Sequence, residues 1–511
     1  MRHFGLRPSD WMILLIYLTS MVVLGSWFSR GRTRAKDFYL AGQMMSWIPV
    51  GLSTVAALIS GNTYLGLPSE VRSHGLAFLI IVFSIFLAIP VTLRVFLPFY
   101  RGLQVTSAYE YLEKRFDVRV RCLASGMFVI WRLIWIGMVI YVPSLTFSAV
   151  TGAPIICTIL ALGFLTTLYT ALGGIEGVIW TDVVQFFVMF GGALVTVWIV
   201  SAQLDSGFAD VWRIASEGGR TQLFDFSWDP TVRMTFWGAM IGGAFANLAY
   251  LGADQMVVQR YLTAKSSRDA QWSVLLSSVG TIFVVVPLAL VGLALFAFYH
   301  LRPNLLPTNF SEDKVFPYFI ATESPAGFAG LLIAAIFAAT MSSLSSGINA
   351  ITTALDIDFY QRLVKQSEAS SHDQNLAQVR FSRILSVMIG AGATGLACFI
   401  GRLGTIIEIG LRFIDGFSGP LLGLFLLGMF TKRTNSEGAC IGAVLGILAT
   451  TYANFFSRLS FTWFPAIGCI VTLLGGYLTS RLGKETDPAV TEWVYGSKQS
   501  GQLGKVMLRS D

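Results

Sequence analysis

The sequence predicts an all-α polytopic membrane protein, and three observations carry that expectation. Hydrophobic residues make up 54% of the 511 positions and charged residues only 13%, about half the charged share of an average soluble domain. Charges gather in short segments between long apolar runs, as a bilayer demands when ionisable side chains are costly in hydrocarbon. Two of the runs are unusually dense in glycine and polar side chains, which sets them apart from ordinary spans.

Runs of roughly 20 apolar residues give about thirteen spans, at 10–29, 46–70, 75–100, 122–150, 153–172, 177–204, 233–254, 272–300, 326–360, 379–401, 404–430, 437–456 and 460–482. The first, which follows the weakly basic "MRHFGLRPSD", is expected to be retained, because the stronger basic cluster lies after it and no small-residue cleavage pattern stands out. Most of the 36 Lys and Arg residues fall on alternate connections and in the C-terminal tail, among them Arg30, Arg32, Arg34 and Lys36, then Arg101, Lys114, Arg115, Arg119 and Arg121. The positive-inside rule then places the N-terminus outside and the tail in the cytoplasm.

The net charge of +7 follows from those connections and makes no case for nucleic-acid binding. The longest polar connections, 205–232, 301–325 and 361–378, are too short for a folded domain, so one membrane domain, 1–483, and a cytoplasmic tail, 484–511, are expected. No "GxxxxGK[ST]" occurs, which excludes the usual route to direct ATP use. Only four His occur and the five Cys lack metal spacing, so a membrane enzyme is not expected, and no disulfide is implied. No obligate protein partner is evident beyond the lipid bilayer.

The second span carries "STVAALISGNTYLGLPSE" and the seventh "GAMIGGAFANLAYLGADQMVVQRY". Either alone reads as close helix packing. Their matched placement, five spans apart, instead points to an inverted-repeat transporter with a site at mid-membrane. In the ninth span, "AATMSSLSSGINAITTALDIDFY", Ser342, Ser345, Ser346 and Asn349 share one helical face, and Ser343 lies about 100° aside. Such hydroxyls suit a hard cation without burying a charge, or each bonds back to a carbonyl in the turn before it.

Asp182, several residues into the sixth span, either faces a cavity, ion or partner or sits as an acid near a helix start. Arg412 and Asp415 stand one turn apart, as an intrahelical pair or with Arg412 presented to an anionic solute. Arg132, near the middle of the fourth span, needs a partner, and none lies nearby in sequence. Trp131 and Trp135 beside it face lipid or stack on a solute ring.

The motifs "SAYEYLEKRFDVRVR", "YTALGGIEGVIWTDVVQ", "DQMVVQRYL", "LIAAIFAATMSSLSSGINAITTALDIDFY" and "GPLLGLFLLGMFTKR" occur in order, and with them the chain resembles the sodium:solute symporters. That family includes Na⁺/glucose, Na⁺/proline and Na⁺/sialic acid cotransporters, and the strongest likeness is to its bacterial sialic acid members. The resemblance implies a five-plus-five inverted repeat (LeuT-like) with broken helices, over about 46–204 and 233–430. It implies a Na⁺ site formed by the carbonyls of Ala56, Ile59 and Ala339 and the hydroxyls of Ser342 and Ser343. A second Na⁺ site would use Asp182, Ser342, Ser345 and Ser346.

Toward the solute it implies Ser60, Asn62, Thr63, Phe78, Asn247 and Tyr250, with Arg132, Trp135 and Arg412 as further candidates. Two positions depart from the sialic acid pattern: Trp135 stands where an arginine meets the carboxylate, and Val82 replaces a glutamine. The stretch "TYLGLPSEVRSHG" is similar to monocarboxylate carriers. The expected activity is Na⁺-driven uptake of a small polar organic solute, such as a sugar, a sialic acid or another organic anion. The alternatives are a proton-coupled symporter with Asp182 as carrier and a membrane solute sensor.

Overall fold

A computed structural model describes residues 6–28, 35–307, 310–365, 372–400, 405–482 and 488–495. The side chains of 405–415 lie outside that description, and with them Arg412 and Asp415. In chain order the helices are α1 (Pro8–Trp27), α2 (Ala35–Leu40), α3 (Trp47–Leu58), α4 (Gly61–His74), α5 (Leu79–Phe83), α6 (Ile85–Val91) and α7 (Leu97–Leu103). They continue as α8 (Glu110–Arg115), α9 (Val118–Thr151), α10 (Ile155–Ser201), α11 (Phe208–Glu217), α12 (Phe236–Gly252), α13 (Gln255–Leu262) and α14 (Ser267–Leu301). Last come α15 (Val315–Thr322), α16 (Phe328–Thr353), α17 (His372–Ile400), α18 (Thr405–Phe430), α19 (Ser436–Phe456) and α20 (Phe464–Leu482).

Among the described residues, nine helical segments are long and apolar enough to cross a membrane, and the bent pair α3–α4 makes up to ten. The remaining expected spans have physical explanations. Helix α10 runs for 47 residues, about 70 Å at 1.5 Å per residue, more than twice a hydrocarbon core of about 30 Å. It turns at Gly174, whose φ of 52° is open to glycine at no steric cost, so it supplies the fifth and sixth expected spans. The seventh is divided into α12 and α13, and the described apolar part of α18 begins at Gly416.

Both glycine-rich spans break. Helices α3 and α4 meet at 63°, with Ile59 in an extended conformation between them. Ser60 opens α4 by accepting the Thr63 N–H at 3.2 Å, one of the donors a helix start leaves unpaired. Helices α12 and α13 part at Ala253, and Asp254 opens α13 by accepting the Met256 N–H at 2.9 Å. Their equivalent places, five spans apart, are the arrangement expected of inverted repeats.

Helix α16 lies at the centre, with every residue from Leu332 to Thr353 buried. It packs against α3, α9, α10 and α17. Helices α19 and α20 meet through small residues: a Cβ on Gly442 would stand 2.7 Å from Gly476, the close approach that membrane helices use in place of a hydrophobic driving force. Large apolar side chains such as Phe164, Phe187, Phe283 and Leu478 are exposed around the rim, where lipid is the solvent.

Candidate ion and solute site

The break in α3 creates the first part of the site. The last carbonyls of a helix have no partner within it, and here those of Ala56 and Ala57 face α16. The Ser342 hydroxyl donates to the Ala56 carbonyl at 2.8 Å and to the Ala339 carbonyl at 3.1 Å. The Ser343 hydroxyl donates to the Ala57 carbonyl at 3.1 Å. All these residues are buried, and Ile59 stands at the break, three residues beyond Ala56. Carbonyl and hydroxyl oxygens without a carboxylate are a donor set that fits a hard monovalent cation. Ala57 is a contact that the sequence reading did not single out, because a carbonyl leaves no side-chain signal.

One turn further along α16, the hydroxyls of Ser345 and Ser346 donate to the Ser342 carbonyl at 3.0 and 2.5 Å, the back-bonding the sequence left open. Asp182 faces this turn from α10. Its Oδ2 accepts from the Ser53 hydroxyl at 2.7 Å and from Arg260 Nη2 at 3.0 Å. Arg260 also donates to Ser346 and, at 2.9 Å, to Ser53. Arg260 thus links the Asp182 carboxylate to Ser346 on α16, a guanidinium standing between two of the residues expected at a second ion site. Asn349, on the same face of α16, accepts from Gln259 Nε2 at 2.9 Å.

The expected solute residues separate into groups. Ser60 and Thr63 lie together at the start of α4, their hydroxyls 3.1 Å apart, and the buried Asn62 Oδ1 has no partner among the described residues. Asn247 ties α12 to the third span, donating to the Ile81 carbonyl at 3.1 Å and to Ser84 at 3.0 Å. Phe78 is half-buried against the core built on α4 and α16.

Arg132 has found the partner its sequence neighbourhood lacked. It pairs with Asp254 at the α12–α13 break, both side chains almost wholly buried. Its guanidinium lies 4.5 Å from the Trp131 ring and 4.6 Å from the Trp135 ring, so those tryptophans stack on a cation of the protein itself. Tyr250 packs on Trp131 at 6.2 Å.

A broken-helix bundle with oxygen donors gathered at one break defines the class: an inverted-repeat transporter with a hard-cation site. The sodium:solute symporter family model matches residues 38–446, and the chain belongs to that family. Among its relatives, the sodium/sialic acid symporter SiaT of Proteus mirabilis is 33% identical over 481 residues, covering 93% of this chain and 95% of SiaT. Human sodium-coupled monocarboxylate transporter 1 is 32% identical over 456 residues, covering 88% and 74%. A substrate-bound, outward-open Na⁺-coupled sialic acid symporter has a similar solved structure, with a TM-score of 0.87 and 31% identity over 95% of this chain and all of the other. The transporter Mhp1, at 12% identity and a TM-score of 0.55, shares the fold alone. The chain is thus a multi-pass, sodium-coupled membrane transporter and not an enzyme.

Proposed function

We propose that the chain takes up a small polar organic anion by alternating access, with Na⁺ held at the α3 break by the carbonyls of Ala56, Ile59 and Ala339 and the hydroxyls of Ser342 and Ser343. The observation that carries this reading is the meeting of Ser342 and Ser343 with the carbonyls that the break exposes. A sodium ion there would tie α3 to α16, and ordering the break would in turn order Ser60, Asn62 and Thr63 at the start of α4. Sodium and solute would then each raise the other's affinity by the same factor. A second Na⁺ at Asp182, Ser342, Ser345 and Ser346 belongs to the same proposal. So do repeats over about 46–204 and 233–430, an outside N-terminus and a cytoplasmic tail after 483.

The solute class rests on relatives that carry sialic acid and monocarboxylates and on neutral hydrogen-bonding groups at the start of α4. Arg132 is paired with Asp254, which favours other groups as the contact for the anion. Thermal stabilisation of the purified chain by sialic acids, monocarboxylates, sugars and amino acids, in NaCl and in KCl, tests this. An organic anion is expected to raise the melting temperature in NaCl alone. Stabilisation by a neutral sugar, or equal stabilisation in KCl, overturns the solute class or the coupling ion respectively. The buried Asp182 keeps one rival, proton coupling, which predicts uptake driven by a pH gradient without sodium.

A further inference from the structure

The polar connection 205–232 is not built like a solvated loop. Residues 222–229 run without helix or strand between α11 and α12, and every second side chain from Phe224 to Trp228 is a large aromatic. Phe224, Phe226 and Trp228 are each more than half exposed. The Phe224 and Phe226 rings stack at 5.8 Å, so alternate residues share a face, as in any extended segment. Asp225, Ser227 and Asp229 fall between the rings. A contiguous exposed apolar strip of this kind marks an interaction surface.

Two observations indicate what covers it. The segment pairs its own backbone: the Ser227 N–H donates to Asp225 at 2.9 Å, the Asp229 N–H to the Ser227 hydroxyl at 3.1 Å and the Thr231 N–H to Asp229 at 2.9 Å. The Asp225 carbonyl accepts the Phe236 N–H at 2.6 Å. Irregular backbone beside hydrocarbon has little water to bond and needs that internal pairing. The strip is also continuous with the lipid-facing surface. Ser460, in the turn between α19 and α20, donates its N–H to the Pro230 carbonyl at 2.9 Å and its hydroxyl to the Arg233 carbonyl at 2.6 Å. Just before that turn, the spanning helix α19 ends with Tyr452 and Phe456 largely exposed. The rings therefore lie level with span ends, where aromatic side chains collect at the membrane–water boundary.

We propose that Phe224, Phe226 and Trp228 dock into the headgroup–acyl boundary of the bilayer, with phospholipid as the partner. The strip is joined to both broken spans. Phe224 and Phe226 pack on Phe236 with ring centroids 5.9 and 5.1 Å apart, and Trp228 stacks on Trp237 at 4.4 Å. Phe236 and Trp237 open α12. Arg233, just before α12, pairs with Glu70 on α4 at 2.7 Å. The anchor thus ties one half of each broken span to the membrane surface.

Spin-label accessibility on the full chain in phospholipid nanodiscs tests the assignment. With the five cysteines replaced by serine, nitroxides are attached at Phe226→Cys and, as a reference on the exposed rim, at Phe187→Cys. The label at 226 is expected to collide with oxygen and to lose collisions with an aqueous nickel chelate. Its depth should lie within about 10 Å of the headgroups, shallower than the label at 187. Nickel collisions as frequent as those of a free nitroxide in water identify a solvated loop, and shielding from both reagents identifies a protein partner. Either result overturns the proposal. If the cysteine-free chain does not fold, the unaltered chain and Trp228→Phe are compared in phospholipids brominated near the headgroup end of the acyl chains. Trp228→Phe is expected to lower the bromine-quenched part of the tryptophan fluorescence, and an unchanged quenched part overturns the proposal.

Discussion

At the break between α3 and α4, the exposed carbonyls of Ala56 and Ala57 meet serine hydroxyls from α16. At the break between α12 and α13, the equivalent backbone meets tyrosines and an ion pair. The Gly252 and Ala253 carbonyls accept from Tyr100 at 2.6 Å and Tyr109 at 3.3 Å, and Asp254 binds Arg132. Hydroxyl–carbonyl bonds are individually worth little net, so a cation can replace them. A buried ion pair cannot lose one member without leaving a charge unpaired in a dry interior. The first break is suited to ligand exchange, and the second is a fixed joint.

The largest effect is expected where that joint is cut. Asp254→Ala leaves Arg132 unpaired and removes the α13 cap, at a cost of about 3–5 kcal/mol. Loss of the cooperative melting transition, or a large drop in its midpoint, is the measurement. Arg132→Met with Asp254→Leu in the same chain should recover most of the midpoint, because no charge is then stranded. A single Asp254→Ala as stable as the parent would remove the distinction between the two breaks.

Ser343→Ala probes the other break and should affect binding rather than folding. The sodium concentration for half-maximal transport is expected to rise about tenfold, which corresponds to about 1.4 kcal/mol, while the melting midpoint without sodium stays close to the parent's. A sodium response that does not change would show that the exposed carbonyls are not the ion's seat.

This contrast also marks what the sequence could carry. Both broken spans, and the serine row from Ser342 to Ser346, were legible because glycine, polar content and helical period are local signals. The partners of charged groups were not. Arg132 meets Asp254 across 122 positions and Arg260 meets Asp182 across 78, pairings created by helices packing together. Arg260 lies inside a motif that the family resemblance rests on, "DQMVVQRYL", yet nothing in that motif says which carboxylate it meets. The long α10 was read as two spans on length alone, and Gly174 supplies the physical reason that division holds.

Outside the spanning helices, charge does a third kind of work. Glu113 on α8 accepts from Arg121 at 2.7 Å and from Arg362 at 2.5 Å. Burial raises its carboxyl, but the two guanidiniums outweigh this and hold it below the usual carboxylate range. A depressed folded-state value means that Glu113 stabilises the fold above the ordinary carboxylate pKa of about 4.3. That stability is lost as pH falls through the folded value. Glu113→Gln should therefore lower the melting midpoint at pH 7 and leave it nearly unchanged well below pH 4. An equal shift at both values would mean that geometry, not charge, carries the contact.

The smallest effect compares the caps of the two breaks. Ser60 accepts the Thr63 N–H at 3.2 Å as Asp254 accepts the Met256 N–H at 2.9 Å, but Ser60 carries no charge and holds no ion pair. Ser60→Ala should cost about 1 kcal/mol, the worth of one neutral N-cap, and Ser60→Asn should restore it by the same backbone contact. If Ser60 also meets the solute, Ser60→Asn will recover the melting midpoint without recovering the stabilisation by added organic anion. Recovery of both would confine Ser60 to capping, and would move the solute contacts of the first break to Asn62 and Thr63.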